Sequence, residues 1–145
     1  MSVELDASQL DALVRRLSSL AHPPLTSLLE AIGADLESGT HKRLSVTKAD
    51  SGGAPWTPWS PGYAARRPQK GGILDLDGQL VDTIAWELEQ DAVSVGSPMV
   101  YAMTHQAGDP SRGIPERAFL GISDDDAKAI NDTVSTWMTD LLGAA

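Results

Sequence analysis

Apolar residues recur at helical spacing in two stretches near the start of the chain. The first stripe comprises Leu10, Leu13, Val14, Leu17 and Leu20. This spacing predicts an amphipathic helix, and Pro23 and Pro24 end it because proline lacks the amide hydrogen that a helix needs. A second helix is predicted from Pro24 toward Leu44, although Gly33 and Gly39 weaken its second half. Its stripe comprises Leu25, Leu28, Leu29, Ile32 and Leu36.

The last helix of the chain carries the clearest signals. Ser123 is a capping residue, and the three aspartates at 124–126 fill the first turn, where the helix dipole is positive. An apolar stripe follows at spacings of three and four residues, and it comprises Ala127, Ile130, Val134, Trp137 and Leu141. We expect this stripe to pack on a sheet.

Between the helices the pattern changes to alternation. A short helix is predicted around Leu80, with Asp75 or Asp77 as its cap. Apolar and polar residues then alternate over 84–88 and 93–95, which predicts a β-hairpin that turns at 89–91. The stretch 101–106 fits either a short helix or a strand, and 114–120 is predicted to be a strand or an extended segment.

These elements predict an α+β fold with N-terminal helices, a small mostly antiparallel sheet and a C-terminal helix packed on that sheet. The length of 145 residues fits a single domain spanning 1–145. Residues 46–72 hold most of the prolines and many glycines, so we expect an extended loop excursion within that domain. A loop of this length is commonly either functional or disordered.

Two of the four tryptophans, Trp56 and Trp59, lie in the excursion. A loop tryptophan either folds back over the edge of the core or anchors a partner, as interface hot spots do. The sequence leaves both readings open. Ser60 and Pro61 predict one short helical turn after Trp59.

Charge is distributed unevenly along the chain. The net charge is −9, which argues against a conventional nucleic-acid binder. The segment 42–70 nevertheless holds six basic residues against one aspartate, so it carries +5 and the remainder carries −14. Such a split suggests that the basic segment meets an acidic surface, which another copy of the chain could supply, or that the segment is simply solvated.

The sequence contains no pattern typical of an enzyme, a metal site or a cofactor site. The chain has no cysteine, and its three histidines match no metal-ligand spacing. His105 is assigned a structural role, with a hydrogen bond to nearby backbone or to a neighbouring subunit. No apolar stretch is long enough to cross a membrane, and the N-terminus lacks the features of a signal peptide.

Several short motifs follow one another in order through two-thirds of the chain. They are Pro55-Trp56-Thr57-Pro58-Trp59, the stretch 73–84, Val93-Ser94-Val95-Gly96-Ser97, Tyr101-Ala102-Met103-Thr104-His105-Gln106-Ala107-Gly108 and Ile114-Pro115-Glu116-Arg117-Ala118-Phe119-Leu120-Gly121. This ordered set resembles the phage virion morphogenesis family, which includes the tail completion proteins of contractile-tailed temperate phages and the G protein of Mu-like phages.

The resemblance implies a structural protein of the virion, assembled in the host cytoplasm and present at the neck or tail end. It implies a homo-oligomer, a ring of about six copies, that contacts the tail tube protein and the head–tail connector proteins. An acidic lumen would let DNA pass without phosphate contacts that hold it. The candidate interface residues are Trp56, Trp59, Arg66, Arg67, Lys70 and His105.

The alternative function comes from another class of protein. A small nucleic-acid-binding or regulatory module would use the basic segment 42–70, with Trp56, Trp59 and Tyr63 as stacking groups for bases. The overall acidity of the chain speaks against it.

Overall fold

A computed structural model describes residues 7–68 and 70–144. The α+β class is confirmed. The longer helices are α1 (Ala7–Ala21), α2 (Thr26–Lys42, continued by a π-helical turn over Arg43–Thr47) and α6 (Asp124–Ala144). The shorter elements are α3 (Pro61–Arg66), α4 (Gln79–Asp82), β1 (Ala85–Glu89), β2 (Ala92–Gly96), α5 (Ala102–Ala107) and a 3-10 turn (Pro110–Arg112).

Helix α2 is the central element, with the hairpin and α6 both packed against it. Strands β1 and β2 form the predicted hairpin, in which Trp86 is paired with Val95 and Leu88 with Val93. Gly33 lets the hairpin approach α2 closely, since an added Cβ there would lie 2.8 Å from the side chains of both Trp86 and Val93. The glycine that weakens the helix in the sequence is therefore required by the packing.

The C-terminal helix forms as predicted, but it packs mainly on α2 instead of on the sheet. Thr133 donates a hydrogen bond to Asp35 (2.6 Å), and Lys42 forms an ion pair with Asp125 (2.9 Å), so the two helices run antiparallel. Because α2 lies between α6 and the hairpin, the α6 stripe is only half-buried.

The buried core lies beside these helices and draws on the loops. Its fully or nearly fully buried members are Leu44, Trp56, Leu80, Ile84, Ala102 and Phe119. Residues 114–120 are extended but form no strand, and an isolated bridge pairs Ile114 with Asp109. The stretch 101–106, for which helix and strand were both open, forms helix α5. Gly78 is the N-cap of helix α4 and there is no side-chain cap, so the predicted aspartate cap is wrong.

The excursion 46–72 is tied to the rest of the chain. An isolated bridge pairs Ala49 with Pro55, and the Asp50 carboxylate accepts a hydrogen bond from the Ala54 amide (2.9 Å). Trp56 is only 5% exposed, and its indole donates to the Ala118 carbonyl (3.0 Å). The first reading of this tryptophan, folding back over the core, is the one that the structure shows.

Candidate functional site

A cleft of about 820 Å³ lies between the excursion and helix α5. One wall is formed by the loop 57–60 and helix α3, and a second by residues 72–80. Helix α5 and the segment 113–117 close the third side. Four of the five motifs quoted above thus meet around one cavity.

Trp59 and Tyr63 form an aromatic wall of the cleft. Ser60 caps α3 by accepting a hydrogen bond from the Tyr63 amide, and this places the Tyr63 ring 6.3 Å from that of Trp59. The guanidinium of Arg67 lies 3.6 Å from the centroid of the Trp59 ring, a cation–π contact. Arg67 also donates to the carbonyls of Lys70 (2.5 Å) and Gly71 (3.2 Å), which fixes it in that position.

Tyr101 is the N-cap of α5 and His105 lies four residues further along, so both rings line the same side of the cleft. Their rings meet edge to face at 5.9 Å. Burial and then the nearby charge of Arg117 lower the pKa of His105, which favours the neutral imidazole. Its Nδ1 atom is buried without a hydrogen-bond partner in the part of the chain that the structure describes.

Arg117 connects two walls of the cleft through hydrogen bonds. It is 6% exposed, and its side chain donates to the carbonyls of Thr57 (2.9 Å) and Pro58 (3.3 Å). Its backbone amide donates to the His105 carbonyl (2.8 Å). Burial lowers the pKa of Arg117, and it has no carboxylate partner among residues 7–68 and 70–144. One arginine therefore links the excursion to helix α5.

Gln106 and Gly108 also help to stabilise the walls of the cleft. The Gln106 side-chain carbonyl accepts from the amides of Phe119 (3.0 Å) and Leu120 (2.9 Å). Gly108 has a φ of +73°, and an added Cβ would lie 2.7 Å from the Glu116 amide nitrogen. The motif residues at these positions thus shape and support the walls of the cleft.

A second buried polar centre lies outside the cleft, around Arg43. Its guanidinium donates to Asp126 (2.5 Å), to the carbonyls of Phe119 (2.9 Å) and Gly121 (2.8 Å) and to Thr40 (3.1 Å). Burial alone would raise the pKa of Asp126, but hydrogen bonds from Ser123 and Arg43 outweigh it, so that pKa is lowered. Sequence reasoning missed this centre, because Arg43 is one of six basic residues in the segment 42–70 and no local pattern indicates that it is buried.

The six candidate interface residues separate into two groups. Trp59, Arg67 and His105 line the cleft. Trp56 is in the core, whereas the side chains of Arg66 and Lys70 are exposed and do not line the cleft. Sequence reasoning did not single out Tyr101 and Arg117, although both lie in the quoted motifs and Tyr101 has the i, i+4 spacing to His105.

The basic segment 42–70 is partly neutralised within its own chain. Lys42 pairs with Asp125, Arg43 with Asp126, and Lys48 lies 3.4 Å from Asp75. The expectation that the segment as a whole needs an acidic surface elsewhere is therefore too broad. The nucleic-acid alternative is also weakened, because Trp56 is buried and Arg67 covers one face of Trp59.

Nothing in the described part of the chain resembles a metal centre, as no three acidic or histidine side chains are grouped to hold an ion. Among the described helices, none combines the length and apolar character needed to cross a bilayer.

The sequence profile of the phage virion morphogenesis family matches residues 5–139. The chain belongs to this family. It is similar to a protein described as putative capsid assembly protein G of Escherichia phage Mu, with 26% identity over 144 residues that cover 92% of this chain and 91% of that protein. No solved structure matches the chain. The family resemblance read from the ordered motifs is thus confirmed.

Proposed function

We propose that this protein is a structural virion assembly protein that acts without catalysis as an oligomeric ring at the neck or tail end of a tailed phage. Membership of the virion morphogenesis family supports the virion role, and the relative in phage Mu carries a name that refers to capsid assembly. The main support for the proposal is that separate family motifs meet around one cleft. A structural protein acts through the surfaces that it offers to partners, so this cleft is a candidate contact surface.

The cleft fits an extended segment of a neighbouring virion protein. Its walls present the aromatic rings of Trp59, Tyr63 and Tyr101, which provide contact area at a low entropic cost. Arg67 and the neutral His105 add hydrogen-bonding groups, so the surface combines apolar anchors with polar specificity. Candidate donors of the segment are the next copy in the ring, the tail tube protein and the connector proteins.

The charge of the chain suits a ring through which DNA passes. A ring of about six copies, each with a charge of −9, would repel phosphates instead of binding them. Arg66 and Lys70, which have no carboxylate partner among the described residues, would then face a neighbouring subunit or ring.

A matched pair of leucine substitutions tests the role of the cleft. Leu76 lines the cleft and is 36% exposed, whereas Leu88 lies on the hairpin at 40% exposure. In a phage that lacks its own copy of the gene, Leu76→Arg should leave filled heads and separate tails with few joined particles. Leu88→Arg should give a number of joined particles close to that of the wild-type protein.

Circular dichroism and thermal unfolding establish that both variants fold. Negative-stain microscopy of the purified wild-type protein, alone and with tail tubes, tests the ring directly. A wild-type protein that stays monomeric under both conditions would contradict the ring. Normal joined particles from a folded Leu76→Arg variant would contradict the role of the cleft.

A further inference from the structure

Two arginines of the described chain are buried, but only one of them has a carboxylate partner there. Arg43 is 4% exposed, and its guanidinium donates to the Asp126 carboxylate (2.5 Å). Arg117 is 6% exposed, yet its side chain donates only to the carbonyls of Thr57 and Pro58 among residues 7–68 and 70–144. A buried charge is normally paired, because removing it from water is costly. The described chain therefore leaves the charge of Arg117 without its usual partner.

The guanidinium of Arg117 keeps one nitrogen available to the cleft. Nε donates to Thr57 and Nη2 to Pro58, whereas Nη1 donates to no acceptor in the described part of the chain. Among the side-chain nitrogens and oxygens of that part, His105 Nδ1 is the one that is enclosed without a partner, so Nη1 of Arg117 is not enclosed. Arg117 lines the cleft. Its Nη1 atom is therefore within reach of a molecule bound there.

The carboxylates that line the cleft do not compensate this charge. Asp75 and Asp77 lie on another wall and form no ion pair with Arg117, and Asp75 is 3.4 Å from Lys48 instead. Burial lowers the pKa of Arg117. Burial and then the charge of Arg117 lower the pKa of His105, so the field of the arginine extends along this side of the cleft. A negative group bound here meets an uncompensated positive charge.

We propose that the cleft binds an extended acidic segment of another virion protein, and that an aspartate or glutamate side chain of that segment accepts a hydrogen bond from Nη1 of Arg117. This carboxylate takes the role for Arg117 that Asp126 has for Arg43. Charge complementarity selects the occupant, because a neutral or basic residue at the same position leaves the guanidinium unpaired. The inference rests on the proposed role of the cleft and adds the chemistry that the cleft recognises.

A peptide selection on the wild-type protein tests the chemistry of the occupant. Random peptides displayed on a phage coat protein continue into that protein, so they offer side-chain carboxylates but no free chain terminus. Binders that are lost on Leu76→Arg and kept on Leu88→Arg depend on the cleft. We expect these peptides to share an aspartate or a glutamate at one position. Cleft-dependent peptides without a shared acidic residue would overturn the proposal and leave the cleft as a docking site, whereas the absence of any cleft-dependent peptide would contradict both.

A matched pair of synthetic peptides then tests the role of Arg117. One is a selected peptide, and in the other the shared acidic residue is replaced by its amide, glutamine or asparagine. The amide peptide should bind the wild-type protein at least about tenfold more weakly, as expected for the loss of one hydrogen bond between charged groups. Arg117→Met should bind both peptides equally. A purely structural role of Arg117 would instead weaken both by the same factor and preserve their difference.

Arg67→Met is the control, because it removes a different positive charge from the cleft. Whatever its effect on affinity, it should preserve the difference between the two peptides. Fluorescence anisotropy measures binding, and circular dichroism shows which variants fold. If Arg117→Met does not fold, the wild type and Arg67→Met still decide the question.

Three results would overturn the assignment to Arg117. They are equal binding of the two peptides to the wild-type protein, a difference that persists in folded Arg117→Met, and a difference that disappears in Arg67→Met. Self-association of the chain that the acidic peptide displaces would show that a second copy supplies the segment, and would overturn its assignment to another protein.

Discussion

The irregular excursion and the regular helix α1 differ in a way opposite to what their sequence patterns suggest. The excursion has no apolar periodicity, yet it inserts Trp56 into the core and is linked to α5 through Arg117. Helix α1 has a clear periodic stripe, yet four of its apolar residues are more than half exposed. Periodicity indicates that a face will be covered, but it does not say whether the cover comes from the same chain.

The largest expected effect concerns the buried centre around Arg43. Arg43→Met should lower the free energy of unfolding by about 3–5 kcal/mol, because it leaves Asp126 buried without its partner. Arg66→Met is the control, since Arg66 is exposed, and it should change the stability by less than about 0.5 kcal/mol. Urea unfolding of both variants measures the difference. Equal stabilities would mean that Asp126 does not depend on Arg43.

The next prediction compares the stability that is lost when each of the two tryptophans of the excursion is replaced by alanine. Trp56→Ala should cost about 3–5 kcal/mol as a large-to-small substitution in the core. Trp59→Ala should cost only about 1–2 kcal/mol, since Trp59 is half-buried and loses one cation–π contact with Arg67. The same unfolding experiment applies, with assembly of the folded Trp59 variant as a second readout. A larger loss of stability for Trp59 than for Trp56 would reverse the assignment of core and cleft residues.

A smaller effect is expected from the pH dependence of His105. Because burial and Arg117 lower its pKa in the folded state, the unfolded chain binds the proton more readily. The contribution of neutral His105 is therefore complete above its unfolded pKa of about 6.5 and is lost as the pH falls through the lower, folded value. His105→Gln should show a flatter stability profile than the wild type between about pH 7 and pH 5, above the range of ordinary carboxylates. Parallel profiles would show that His105 does not titrate differently on folding.

The smallest effect on the isolated subunit belongs to helix α1. At concentrations where the protein is monomeric, Leu17→Ala should alter the unfolding free energy by no more than about 0.5 kcal/mol, because the side chain is 57% exposed. Thermal unfolding at low and high protein concentration measures this. A loss of several kcal/mol in the monomer would mean that α1 is already packed within its own chain.

The sequence predicted the regular elements well, because helices and hairpins each have a characteristic spacing of apolar residues. The three longer helices, the hairpin and the Ser123 cap of α6 were predicted directly, and Ser123 indeed exchanges hydrogen bonds with Asp126. It could not predict that α6 packs on α2, because a stripe defines a face but not the surface that it meets.

The cleft was predictable only in part, for a related physical reason. Trp59 and His105 stood out by residue type and motif, whereas Arg117 acts through hydrogen bonds to the carbonyls of a segment 59–60 positions away. Such non-local bonds leave no local pattern. Charge alone was also misleading, since Arg43 was counted with the basic segment 42–70 and is only 4% exposed in the fold.

Hydrogen exchange on the full chain, measured as monomer and as assembled particle, tests most directly the contrast between the excursion and α1. The account predicts that the amides of Ala54 and Trp56 are protected in both states, because they are hydrogen-bonded within the chain. The amides of α1 should exchange fast in the monomer and become protected only on assembly. Strong protection of α1 in the monomer, or an excursion that becomes protected only on assembly, would contradict it.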